Sequence, residues 1–306
     1  MKDNNRKSEE QDNNIKCHSK VRATVHGAIS IVNAVATGNG SALGISLKVT
    51  AQVGLSNQGL GVNGLSKIKR KDRLFISKII QRSIPEQVIR KQAITVEIQS
   101  EIPMGVGLKS SSAVSNAVSL ACHRLITDED LDDNIVLNSG IQASVDSKLT
   151  ITGAYDDSTA SYFGGLVLTD NYRKRLIAHE TAPEDLFAII LIPKYPARGI
   201  VSNLGLMSDL FLDAFKLAEE RKYWKAMKLN GVLVSAALSY NYEPVKVALQ
   251  KGALSASISG NGPAVAAVVR EEQMENVKSA LAESSPDSRI IISKINNQKA
   301  QTEKMI

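Results

Sequence analysis

The stretch Ile102 to Ala113, IPMGVGLKSSSA, constrains the fold more than any other part of this chain. Before it, Ile94 to Ser100 alternates apolar and polar residues with the period of a half-buried strand. After it, Ala113, Val114, Ala117, Val118, Ala121 and Leu125 recur at helical spacing within Ser110 to Ile126. The glycines therefore sit in a strand-to-helix turn. Such a turn presents the free N–H groups of the first helical turn at the positive end of the helix dipole, and glycine lets an anion come close. A phosphate group suits that position.

Two familiar phosphate loops do not fit. A P-loop needs lysine directly after its last glycine, whereas Leu108 separates Gly107 from Lys109, and no Gly-Lys-Ser or Gly-Lys-Thr occurs in the chain. The dinucleotide fingerprint would place its third glycine on Ser110. What stands there is a glycine pair, a lysine and Ser110, Ser111 and Ser112, whose hydroxyls suit phosphate oxygens or a magnesium ion brought in by phosphate. Helix capping is the simpler use of serine, but it occupies one or two of the three.

Pro103-x-x-x-Gly107-Leu-Lys-Ser-Ser-Ser-Ala113 resembles the second motif of the GHMP kinases, commonly PxxxGLGSSAA. The lysine variant GLKSSSA is similar to the archaeal-type shikimate kinase branch of that superfamily. Thr152-Gly-Ala-Tyr-Asp-Asp-Ser158 with Ala160 to Gly165 resembles that branch's TGAFDDA and ASYFGG block, and Ser259 to Ala264 resembles its third, glycine-rich motif. The resemblance runs from about Val21 to Ile295. It implies an α+β fold of two domains, a ribosomal-protein-like N-terminal domain over 21–175 and a ferredoxin-like C-terminal domain over 180–296. Composition predicts a disordered tail over 1–20 and a polar tail over 297–306.

By the same resemblance, the substrates are ATP and shikimate, with Mg2+ as cofactor. Pro103, Met104, Gly105, Val106, Gly107, Leu108, Lys109, Ser110, Ser111, Ser112 and Ala113 hold the nucleotide, together with Gly260 and Gly262. Ser112 and Asp146 hold the metal, and Asp146 stands where this branch usually has glutamate. Asp156 falls on the catalytic aspartate, Lys109 assists it, and Asp157 is its neighbour. A carboxylate near an acceptor hydroxyl orients it and takes its proton. Small and aromatic neighbours around the Asp156-Asp157 turn imply burial, and buried paired acids need a cation. Arg198, in the loop after the strand Leu186 to Ile192, is the candidate for the acceptor carboxylate, since arginine grips carboxylates in a fork. Asn33 and Ser30 are weaker substrate candidates, and His26 reads as packed.

Composition agrees. With 306 residues, 43% of them hydrophobic, the chain is long enough for two domains. Cys17 and Cys122 match no disulfide framework or zinc spacing, which fits a reducing cytoplasm. The apolar run Leu186 to Pro193 is too short to span a bilayer. A net charge of +6 raises nucleic-acid binding as the rival reading, with its densest cluster at Lys67 to Arg73. At 4% aromatic residues, no stacking platform accompanies that cluster, so it reads as a solvated loop and helix face. No nucleic acid or membrane partner is expected, and homo-oligomerisation is left open.

Overall fold

The computed structural model describes residues 18–56, 62–64, 70–150, 153–194 and 199–305. Two strands begin the fold, β1 (Lys20–Val32) and β2 (Asn39–Ser56), paired antiparallel along nearly their whole length. Residues 20–26 of β1 alternate between half-buried and buried, whereas 27–32 are buried throughout. That change marks where the strand passes from a one-sided sheet into the covered middle of the molecule.

A short β3 (Val62–Asn63), helices α1 (Arg70–Ser83) and α2 (Glu86–Lys91), and β4 (Ala93–Ser100) follow. Next come α3 (Ser110–Ile126), α4 (Asp133–Asp146) and α5 (Tyr155–Phe163), then β5 (Leu166–Asp170) and β6 (Arg175–Glu180). The long β2 branches the sheet, because Asn39 to Leu43 pair with β5 while Val49 to Ser56 pair with β4. Helix α3 packs its apolar stripe, including Ala113, Ala117, Val118 and Ala121, into the same core as Val25 and Ile29 of β1.

The second unit runs through β7 (Leu186–Ile192), a 3-10 helix at Val201–Met207, α6 (Ser208–Glu219), α7 (Tyr223–Leu238) and α8 (Glu243–Gln250). It ends with β8 (Ser255–Ile258), β9 (Val265–Arg270), α9 (Glu271–Ser284) and β10 (Arg289–Lys294). Its sheet has the order β10-β7-β9-β8, all antiparallel. Helices α7, α8 and α9 cover it, and Phe211, Leu233, Val234, Val245 and Val277 fill the layer between. Of the two cysteines, Cys17 lies outside the described residues and Cys122 is a buried free thiol whose pKa burial pushes far up.

Three expectations need correction. Strand β6 pairs with β5, so the first unit extends to Glu180 rather than ending at residue 175. The C-terminal stretch expected as a polar tail contains β11 (Gln301–Met305), which pairs with β1 and closes the edge of the first sheet. Asn296 already belongs to the first unit, since its N–H donates to Gly44 O and its carbonyl accepts from Gly165 N–H. The N-terminal tail falls mainly on residues outside the described ones, but His18 bonds Asp128 at 2.7 Å and Lys20 opens β1. Among the described residues, no helix is long and apolar enough to cross a membrane.

Candidate active site

The turn into α3 is built by backbone conformations that few residues adopt. Gly105 and Gly107 have φ of +73° and +92°, and Lys109 itself is left-handed at 63° as the residue preceding the helix. A non-glycine residue there is strained and needs support from its surroundings. No side chain caps α3. The three serines therefore occupy its first turn as helical residues, where the N–H groups of Ser110 to Ser112 have no acceptor within the helix.

The third glycine loop supplies the support. A Cβ at Gly107 would lie 2.0 Å from Ser259 O, so only glycine admits this approach. Ser259 Oγ donates to Gly107 O at 2.7 Å, and Ala264 N–H donates to Val106 O at 3.1 Å. Asn33 ties the same loop to β1. Its Nδ2 donates to Gly260 O at 2.9 Å and to Asn261 Oδ1 at 3.0 Å, while its Oδ1 accepts from Val35 N–H at 2.8 Å. Both amide protons are used within the protein, and Asn33, which clasps this loop, also lines the cleft, where the sequence placed it as a substrate candidate.

Lys109 carries its ammonium back under the turn. Nζ lies 2.7 Å from Asp157 Oδ1 and donates to Ser30 Oγ at 2.8 Å. Ser30 Oγ also accepts from Gly260 N–H at 3.0 Å, so it ties the second- and third-motif loops to β1. A Cβ at Gly260 would stand 3.1 Å from the ammonium. The lysine side chain is only 5% exposed, which makes its carboxylate partner a necessity, because an unpaired buried charge is costly.

Asp156 and Asp157 occupy the first turn of α5, not a turn between elements as the sequence suggested. Ala154, left-handed at φ 49°, starts that helix. Asn116 on α3 locks the two helices together: its Nδ2 donates to Ser158 O and its Oδ1 accepts from Ser158 Oγ, both at 2.8 Å. Asp156 is 4% exposed and accepts at Oδ1 from Asn171 Nδ2 at 2.7 Å. Burial, reinforced by the charge of Asp157, raises its pKa to about 7, against the opposing pull of Lys109 and the Asn171 hydrogen bond.

These groups line one cleft of about 350 Å3, with Gly105, Gly107, Leu108, Lys109 and the three serines on one wall. Asp156 and Asp157 face it from α5, Gly260 and Gly262 from the third loop, and Ala34, Val35 and Val201 add an apolar side. Four residues expected at the nucleotide do not line it. Met104 is 71% exposed, Ala113 and Val106 pack toward the core, and Pro103 precedes the bend. Asp146 also departs from expectation. It closes α4 at the surface, where Arg82 Nη2 lies 2.5 Å from its Oδ2, and Ser144 is the α4 residue that faces the cleft. Arg198 lies outside the described residues. Sequence reasoning gave no site role to Asn171 or Gly40, noted Ser259 only as part of the third motif, and gave Ser30 too little weight.

Residues 74–165 match the GHMP kinases N-terminal domain and residues 225–287 the GHMP kinases C-terminal domain. The chain belongs to the GHMP kinases. A homoserine kinase from Cytophaga hutchinsonii shares the fold with a TM-score of 0.72 at 19% identity, covering 93% of this chain and 98% of that one. The Methanococcus jannaschii mevalonate kinase does so at 0.70 and 16% identity, covering 92% and 99%. Curated relatives are more similar and carry another name, shikimate kinase. The protein of Methanosarcina acetivorans is 35% identical over 91% of this chain and 95% of its own length. That of Thermococcus kodakarensis is 36% identical over 83% and 93%.

Proposed function

We propose that this protein is an ATP-dependent shikimate kinase, transferring the γ-phosphoryl group of ATP to the 3-hydroxyl of shikimate. The joining of an anion-binding turn to a buried acid pair through Lys109, 2.7 Å from Asp157, carries the phosphoryl-transfer reading. The acceptor is taken from the relatives named shikimate kinase, which match most of the chain.

In this reading, the N–H groups and hydroxyls of Ser110 to Ser112 receive the nucleotide phosphates at the positive end of α3. Asp156 sits beside the acceptor hydroxyl and takes its proton as that oxygen bonds to the γ-phosphorus. The bond from phosphorus to the bridging oxygen breaks, and ADP leaves with the electron pair. A carboxylate with a pKa of about 7 is suited to accept a proton near neutral pH. Lys109 keeps Asp157 neutralised and holds positive charge beside the cleft.

The oxygen donors here fit magnesium, which keeps several waters and binds one or two protein groups plus phosphate. Ser112 is the protein group we assign to it, and Asp146 is withdrawn because Arg82 occupies its carboxylate. When bound, the ion neutralises the terminal phosphates. Arg198 remains our candidate for the acceptor carboxylate.

The test is ADP release from Mg-ATP with shikimate, homoserine and mevalonate in parallel, with Asp156→Asn as control. Turnover with shikimate alone, lowered about 100- to 10,000-fold in the variant, is expected. Turnover with another acceptor replaces the substrate, and none with any acceptor rejects the reading.

A further inference from the structure

Asn171 follows β5, outside the motifs, yet it is 2% exposed and clamps Asp156 at two points. Its Nδ2 donates to Asp156 Oδ1 at 2.7 Å, and its Oδ1 accepts from Asp156 N–H at 3.0 Å. The same Oδ1 accepts from Thr169 Oγ1 at 2.8 Å. Because a backbone N–H can only donate, the amide orientation is fixed by its partners. Asn171 is in turn anchored, its N–H donating to Gly38 O at 2.8 Å. Two residues on from Gly38, the α-carbon of Gly40 closes the other side of the carboxylate, since a Cβ there would lie 2.7 Å from Asp156 Oδ2.

We infer that Asn171 is a positioning residue for phosphoryl transfer, holding Asp156 by one oxygen so that Oδ2 is presented to the acceptor hydroxyl. The inference rests on the kinase reading given above. A carboxylate on the first turn of a helix has several rotamers available. The clamp removes that freedom in advance, and reacting groups held in the productive geometry carry a large share of an enzyme's rate.

Asn171→Ala and Asn171→Asp are made in the full chain, alone and combined with Asp156→Asn, and kcat and KM are measured by ADP release with the three acceptors. Asn171→Asp keeps an acceptor for Asp156 N–H and Thr169 Oγ1 and replaces the donor to the carboxylate with an acidic oxygen that repels it, so it tests the hold on the carboxylate apart from support of the loop. We expect kcat to fall about 100-fold in both single variants, with KM for ATP unchanged. Adding Asn171→Ala to Asp156→Asn then costs nothing further, because the two act as one unit. Wild-type kcat in the single variants, a change in KM alone, or a full additional loss in the double variant overturns the inference. If the wild-type protein uses none of the acceptors, the substrate reading fails, and a crystal structure of Asn171→Ala decides this point. A displaced Asp156 carboxylate supports it; an unmoved one overturns it.

Discussion

Lys109 and Asp157 face each other at 2.7 Å across the cleft, one from the turn that begins α3 and the other from the first turn of α5. The pair holds the phosphate-binding turn against the helix that carries the acids. Lys109→Met removes the charge and keeps most of the bulk. It leaves Asp157 without its cation and takes away positive charge beside the transferring group. Losses of this type run to about 100- to 1000-fold in kcat. Steady-state ADP release measures it, and a variant retaining most of wild-type kcat would remove Lys109 from the mechanism.

The pH dependence follows from Asp156. With a pKa of about 7, its carboxylate is ionised above neutrality, so kcat/KM is expected to rise through pH 7 and level off above it. Stability moves the opposite way. The folded-state pKa lies above the unfolded aspartate value, so protonation stabilises the fold at low pH and that contribution is lost as pH rises through 7. Asp156→Asn should therefore gain more thermal stability over wild type at pH 8 than at pH 5. Melting curves at both values test this, and an equal difference at the two would contradict it.

The glycine loops were legible in the sequence because their chemistry is local: glycine and serine at fixed offsets report backbone that must approach something closely. Asp156 and Asp157 were legible as a pair for the same reason, although their helical setting was not. Asn171 and Ser30 were obscure because small polar residues read as surface, and their partners lie 15 and 79 residues away in the chain. Asp146 shows a different limit. Ser144, two residues earlier, faces the cleft, and two residues turn a helix by roughly 200°. Proximity in sequence to the acid pair could not tell which side of α4 faced inward. The last strand escaped notice because an edge strand with exposed side chains need not alternate apolar and polar residues.

That strand has a testable role. In β11, Thr302 and Lys304 pair with Ala23 and Val21, two core residues of β1, and Arg22 is bridged by Glu303. Ending the chain after Ala300 exposes the β1 edge and uncovers its core. A loss of a few kcal/mol is expected, lowering Tm by on the order of 5–10 °C. Exposed edges also recruit other chains, so the truncated protein should self-associate. Calorimetry with light scattering measures both. An unchanged Tm would make β11 dispensable.

Gly40 gives the sharpest separation of activity from folding. Its backbone is extended in β2, paired with Thr169, and needs no glycine-specific φ. What it needs is space, because a Cβ would meet Asp156 Oδ2, Cβ and Cγ at 2.7 to 2.8 Å. Because Asp156 Cβ is fixed by the α5 backbone, the Gly40→Ala variant relieves the clash by pushing the start of α5, and the carboxylate with it, away from β2. Small displacements of a reacting group cost about 100-fold in rate. The expected result is a kcat reduced by that order in a protein that still folds cooperatively and binds ATP. Wild-type kcat in Gly40→Ala would show that the carboxylate tolerates displacement, and with it that Asp156 acts through charge rather than through contact with the acceptor hydroxyl.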